Sequence, residues 1–225
     1  MNFITKQISL LIMSTVILYA VSCAQSPEGF NIELEPITIT NTPGIHSYSW
    51  GKTDEGKWII IGGRIDGLHQ RQPFAAFLEA DNNKFAFVID PSSEQSWSAY
   101  LSVLSADIFE QLQSTNQEFY QRDTTLYIFG GYGYSTSTND HITYPNLTAI
   151  DVNSLADSII NGGDITGAFR QISDSRLKVT GGQIGLIDST FYLVGGHLFD
   201  GRYNPMGPNN GPGFIQEYTN EIRSF

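Results

Sequence analysis

This chain of 225 residues contains a single cysteine, Cys23. One thiol excludes an internal disulfide framework, and with it any cysteine-built metal knuckle. Positive charge is also scarce: 12 Lys and Arg stand against 23 Asp and Glu, leaving a net charge of −11. A surface this acidic has no basic stripe for a phosphate backbone, so nucleic acid is excluded as a partner class. Long apolar runs are missing too. The one extended run, Ile8 to Val21, is about 14 residues, below the ~20 that cross a bilayer as a helix. No Gly-rich turn is followed by Lys and Ser or Thr, so a phosphate-binding loop is absent. The four His sit at unequal spacings, and neither a metal nor another cofactor is expected. What the chain has instead is 22 Gly, 9 Pro and 12% aromatic residues. That mixture suits many short strands joined by turns, an all-β domain, and the length suits one good-sized domain.

The first 23 residues read as a targeting segment. Lys6 precedes the apolar run, which ends Tyr19-Ala20-Val21-Ser22-Cys23. This resembles a bacterial lipoprotein signal, in which small residues precede a Cys that receives lipid after cleavage. The third residue before Cys23 is Ala20, where Leu is commonest in that family. An ordinary secretory signal cut near Ala24 is the alternative, and either exports the chain. Residues 24–29 then read as a tether. The resemblance implies a membrane-anchored protein of the bacterial cell envelope.

Three apolar runs end in a glycine pair: Trp58-Ile59-Ile60-Ile61-Gly62-Gly63, Leu126-Tyr127-Ile128-Phe129-Gly130-Gly131 and Phe191-Tyr192-Leu193-Val194-Gly195-Gly196. The intervals are 68 and 65 residues. Self-similarity at a near-fixed period marks a repeat architecture. The runs are short, β-branched and aromatic, which argues for buried strands. Each is preceded by a second strand and a turn holding Asp54, Asp123 or Asp188, residues expected to be structural. A third strand is expected at Phe85–Asp90, at Asn146–Asp151 and within Thr219–Phe225. Fourth-strand candidates lie in Ser98–Val103 and Gly167–Ile172. Ala106–Ser114 has helical spacing. Residues 30–40 alternate apolar and polar, as a strand that closes a blade would.

The glycine pair, the polar loop, the strand ending in Asp and then Trp97 together resemble the kelch motif. The resemblance covers residues 45–225 and implies β-propeller blades of four antiparallel strands. Two features depart from the family. The period exceeds the usual ~50 residues, which implies insertions. The late Trp occurs in the first repeat alone. About three blades are expected, the last incomplete, so the chain reads as the front part of a longer propeller; an open, dimerising half-propeller is among the alternatives.

The resemblance implies that the loops after the glycine pairs gather on one propeller face. They carry Arg64, Asp66 and His69; Tyr132, Tyr134 and His141; and His197, Asp200, Arg202 and Tyr203. Arg and Tyr on loops suit recognition of a glycan or a protein, through bidentate bonds and stacking. The glycines Gly62, Gly63, Gly130, Gly131, Gly195 and Gly196 are expected to be structural. The expected function is binding. The alternative is a sugar-active enzyme similar to the mutarotase-like kelch propellers, which needs only positioned acid–base and Arg side chains. A galactose-oxidase-like copper site is disfavoured because its Tyr–Cys cross-link has no cysteine besides Cys23.

Overall fold

The computed structural model describes residues 29, 31–68, 70, 72, 74–207 and 213–225. The chain divides into two units, Met1–Pro36 and Ile37–Phe225. In the first unit the described residues are exposed and form no regular secondary structure, and residues 37–39 of the second form none either. Among the described residues of the strand expected over 30–40, none is in a strand. Cys23, the expected lipid-attachment residue, lies outside the described residues.

The second unit is mostly β and consists of small antiparallel sheets. The first sheet is a four-stranded meander: β1 (Ser49–Lys52), β2 (Trp58–Ile61), β3 (Phe85–Asp90) and β4 (Gln95–Tyr100), paired in that order. A short helix, α1 (Ala106–Leu112), leads to the second sheet. That sheet contains β5 (Glu118–Arg122) and β6 (Thr125–Phe129). A separate hairpin follows, β7 (Tyr132–Ser135) with β8 (Asp140–Thr143). The meander then resumes with β9 (Asn146–Asp151), helix α2 (Val152–Ile160) and β10 (Phe169–Ser173). The third sheet is β11 (Gln183–Ile187), β12 (Thr190–Val194) and β15 (Ile222–Ser224), with a second hairpin, β13 (His197–Asp200) and β14 (Ile215–Tyr218), between the last two.

The three apolar runs are thus the second strands of three meanders, as expected. The segments after the second and third glycine pairs were expected to be loops; their flanks instead pair as hairpins. The aromatic and β-branched residues at both ends, such as Tyr132 opposite Thr143 and Phe199 opposite Gln216, supply cross-strand pairs that a loop would not need.

The pattern of burial explains the continuous apolar runs. Strand β6 is covered on both faces. Leu126 and Ile128 point to the first sheet and join Ile59, Ile61, Ala86 and Val88 in one core. Phe129 and, half-buried, Tyr127 point the other way, onto Leu177, Val179, Ile184 and Leu193. Each fully buried aliphatic or aromatic side chain contributes roughly 1.5–3 kcal/mol. Helix α2 closes one end of the larger core with Val152, Leu155, Ala156 and Ile159, and Asp151 caps it by accepting from the Ser154 amide at 2.9 Å. Helix α1 is tied down by buried Gln111, whose amide donates to the Asn146 carbonyl at 2.9 Å and whose oxygen accepts from Gln171 at 3.0 Å.

The glycine pairs link neighbouring meanders. All six glycines have positive φ, between 59° and 98°. The Gly63 amide donates to the Ser114 carbonyl and the Gly131 amide to the Val179 carbonyl, both at 2.9 Å. In each case the acceptor lies just before the first strand of the next meander. A side chain on Gly130 would drive into the Val179 carbonyl oxygen. Glycine is required there for both its backbone angle and its lack of Cβ.

Candidate functional site

The residue after each glycine pair occupies an equivalent place. Arg64 bridges to His46, Tyr132 to Thr115 and His197 to Thr180, in the same antiparallel geometry. One residue further on, Ser47, Asn116 and Gly181 all have left-handed backbone, with φ of 55°, 52° and 58°. They are strung together: the Asn116 amide donates to the Ser47 carbonyl and the Gly181 amide to the Asn116 carbonyl. Backbone bonds therefore set the three post-glycine positions side by side.

A cleft of about 170 Å³ opens there. It is lined by Phe77, Asn116, Tyr132, Thr180, His197, Phe199, Tyr203 and Gln216. Its aromatic wall is a set of edge-on contacts. Phe77 meets Tyr132 with centroids 5.3 Å apart and Tyr203 at 5.7 Å, and Phe199 meets Tyr132 at 4.9 Å. Phe214 stacks on Phe199 at 4.6 Å and supports the wall from behind. Amide, hydroxyl and imidazole groups from Asn116, Thr180, Gln216 and His197 supply the polar edge. Burial pushes the His197 imidazole below its usual range, so it is neutral at pH 7.

Of the expected site residues, Tyr132, His197 and Tyr203 line this cleft. Tyr132 is almost wholly buried and its hydroxyl donates to the Gly201 carbonyl at 2.9 Å. Burial pushes that phenol well above its usual range. It therefore acts as wall, and His197 and Tyr203 present the more accessible surface.

The other expected residues have different roles. Arg64 and Asp66 do come together, but as an internal clamp. Arg64 is 1% exposed. Its Nε and Nη2 donate to the two Asp66 oxygens at 3.0 and 2.8 Å, and Nη1 donates to Asn82 at 2.8 Å and to the Leu78 carbonyl at 3.2 Å. Its guanidinium also lies 5.2 Å from the Phe77 ring centre. An arginine matched this fully is withdrawn from ligand, because a buried charge is stable only when paired. Burial alone would raise the Asp66 carboxyl, but the Arg64 bonds and charge outweigh it, with help from His46, and hold it below the carboxylate range. His141 is likewise internal: its Nε2 bonds to the Phe77 carbonyl at 2.9 Å, and the ring packs on Tyr132 and Tyr134. Tyr134 bonds Asn139 within its own hairpin at 2.8 Å. Asp200 was expected on the ligand-facing loop. It instead accepts from the Thr143 amide at 2.9 Å and from Lys178 at 3.2 Å, joining the two hairpins. Arg202 is partly exposed and makes no hydrogen bond or ion pair among the described residues. His69 lies outside the described residues. Among the described residues no group of three or more His, Cys, Asp or Glu is placed to hold a metal.

Five lining residues were not expected: Phe77, Asn116, Thr180, Phe199 and Gln216. Asn116 and Thr180 carried only a weak signal, since each lies just ahead of the first strand of its meander, at a spacing from the glycine pair that varies between repeats. Phe77 carried none, because it reaches the cleft from a loop that no repeat rule places.

Compared with known proteins, the chain matches no family model and no curated protein. It is similar to a solved structure described as the structure of YjhT, with a TM-score of 0.50 at 15% identity. The likeness covers 81% of this chain and 54% of that one, so the chain spans about half that structure's length. At this identity the likeness shows the fold alone.

Proposed function

We propose that this chain is an exported, lipid-anchored protein whose meanders are kelch-type propeller blades, and that it binds glycan or protein through the face carrying the aromatic cleft. The observation that carries this reading is the repetition of the post-glycine position. Three equivalent bridges hold Arg64, Tyr132 and His197 side by side, and the segments after the last two supply Tyr132, His197, Phe199 and Tyr203 to the cleft. An aromatic wall beside amide and imidazole edges is the chemistry that recognises a sugar ring or a planar side chain, by stacking combined with directional bonds. The volume falls below the ~300–1,000 Å³ of drug-sized pockets, which suits one ring-sized group at a time. The acidic surface favours neutral or basic ligands over anionic ones.

The test is a glycan array together with capture of surface proteins, using wild type, Tyr203→Ala and His197→Ala. A ligand held by wild type and weakened about tenfold or more by either variant supports the reading, since cleft residues of this kind carry 1–3 kcal/mol each. Equal binding by all three proteins overturns it. One observation favours a second reading, a mutarotase-like sugar enzyme: His197, kept neutral by burial, lines the same cleft and is suited to act as a general base. Exchange spectroscopy of sugar anomers decides between the two. Turnover lost in His197→Ala favours the enzyme.

A further inference from the structure

The aromatic cleft has a neighbour. A second cavity, of about 460 Å³, adjoins it across Phe77 and Asn116, which line both. The second is lined as well by His46, Ser47, Thr115, Gly67 and Leu68. The repeat explains the pairing. His46–Ser47, Thr115–Asn116 and Thr180–Gly181 are equivalent lead-ins to the three meanders. The larger cavity lies between the first and second lead-ins, and the smaller between the second and third. Phe77 is the partition. Its φ of 52° is a left-handed conformation that is costly for a bulky residue. It is held in that conformation from two sides: its carbonyl bonds to His141 Nε2 at 2.9 Å, and its ring lies 5.2 Å from the Arg64 guanidinium. The two residues withdrawn from ligand thus position the wall between the cavities. Asn116, on the boundary, is exposed, and its side chain makes no hydrogen bond among the described residues.

We infer that the two cavities are successive subsites for one linear, neutral oligosaccharide, with Asn116 contacting the units on either side of the Phe77 wall. The inference rests on the cleft reading above and narrows its ligand to one class. Three observations select that class. Neither lining set contains Asp, Glu, Lys or Arg, and the nearby carboxylates are spent internally, Asp66 on Arg64 and Asp200 on Lys178 and the Thr143 amide. A neutral ligand therefore meets no unpaired charge. What the walls do offer is amide, hydroxyl and imidazole groups beside aromatic rings, the partners of sugar hydroxyls and ring faces. An extended peptide would instead draw its affinity from an open strand edge. The lead-ins leave none: His46 exchanges both backbone bonds with Arg64, Thr115 with Tyr132 and Thr180 with His197. Size fixes the length. The smaller cavity takes one ring-sized group, and the larger falls within the ~300–1,000 Å³ of ordinary ligand pockets, so a chain of about three units fills the row.

The test is titration calorimetry of the full chain in non-ionic detergent with malto-, cello- and chito-oligosaccharides of one to four units, using wild type, His46→Ala and Asn116→Gly. Both variants should keep the fold, as circular dichroism would report. The His46 bridge uses backbone groups and its side chain is 40% exposed, while glycine accepts the left-handed φ of 52° at position 116. In at least one series wild-type affinity should rise about tenfold or more from one unit to three, the gain of one further set of contacts. His46→Ala should erase most of that gain, bringing the three-unit affinity to within about threefold of the one-unit value. Asn116→Gly should weaken short and long chains alike, since its amide serves both subsites. Affinity independent of chain length but lost in Tyr203→Ala would overturn the two-subsite inference and leave the cleft reading standing. So would a protein captured through Tyr203 with no sugar bound. A gain with length that survives both variants, or tighter binding of a uronic-acid trimer than of its neutral counterpart, would also overturn it. No binding of sugar or protein at all would overturn both.

Discussion

Arg64 and His141 are the two residues whose chemical type promised function and whose environment withdrew it. A buried guanidinium must match its donors, and Arg64 finds Asp66, Asn82 and the Leu78 carbonyl. Arg64→Ala would leave Asp66 without its main partner and should cost about 3–5 kcal/mol, as breaking a buried pair does. Arg64→Lys should recover only part of this, because an ammonium cannot make the bidentate fork. Urea denaturation of the three proteins checks the order. His141 carries a pH signature. Burial, aided by the Arg202 and Arg64 charges, lowers its pKa below 6.5, against the opposing pull of the Phe77 carbonyl and Asp140. The folded state then binds fewer protons than the unfolded one. The stabilising contribution is complete above 6.5 and is lost as pH falls through the folded value. Melting temperature should therefore decline from pH 7 to pH 5.5, and His141→Gln should flatten part of that slope while His197 retains its own share. A sequence shows that Arg and His are present in post-glycine segments. Whether they face solvent depends on Asn82 and Phe77, contributed by a loop with no periodic signature.

At the scale of elements, strands were legible and their additions were not. The apolar runs, the turns at Asp123 and Asp188 and the strands ending in Asp90 and Asp151 all declared themselves, because burial on both faces and left-handed turns leave compositional marks. The helix over Ala106–Leu112 also showed in its spacing. Helix α2 did not, since Val152-Asn153-Ser154-Leu155 follows a strand without a break and its apolar stripe is set by the core it caps. The two hairpins were hidden for a related reason: Tyr132–Thr143 is rich in Ser, Thr and Asn, which read as loop, and only cross-strand pairing makes them strands. The glycine pairs allow a test of this level. Gly130→Ala must strain a φ of 59° and also collide with the Val179 carbonyl. Gly195→Ala, with φ of 70° and open space around it, should lose only the ~1–2 kcal/mol of a left-handed residue. The first variant should unfold at distinctly lower urea concentration than the second. Equal midpoints would mean that the close approach between meanders contributes little.

Across the whole molecule, cohesion passes from sheet to sheet rather than through one central core. The first two sheets share one cluster and the last two another, and backbone bonds at the glycine pairs stitch the junctions. Such nearest-neighbour stacking lets each junction contribute to stability locally. It also lets one side of the stack collect loops from every repeat, which is why the cleft is assembled from residues as distant as Phe77 and Gln216. Where the protein resides follows from a different part of the chain. If Cys23 is lipid-modified, the mature protein begins at that residue and carries acyl chains. At least two anchoring signals are needed for stable attachment, since a single chain of this kind holds a protein only reversibly. Wild type should then partition with detergent in a phase-separation assay and show an N-terminal mass increment. Cys23→Ser should shift to the aqueous phase or retain its apolar leader, which intact-mass analysis distinguishes. An unmodified wild-type chain starting near Ala24 would instead establish an ordinary secretory signal, and the cleft would then belong to a released protein.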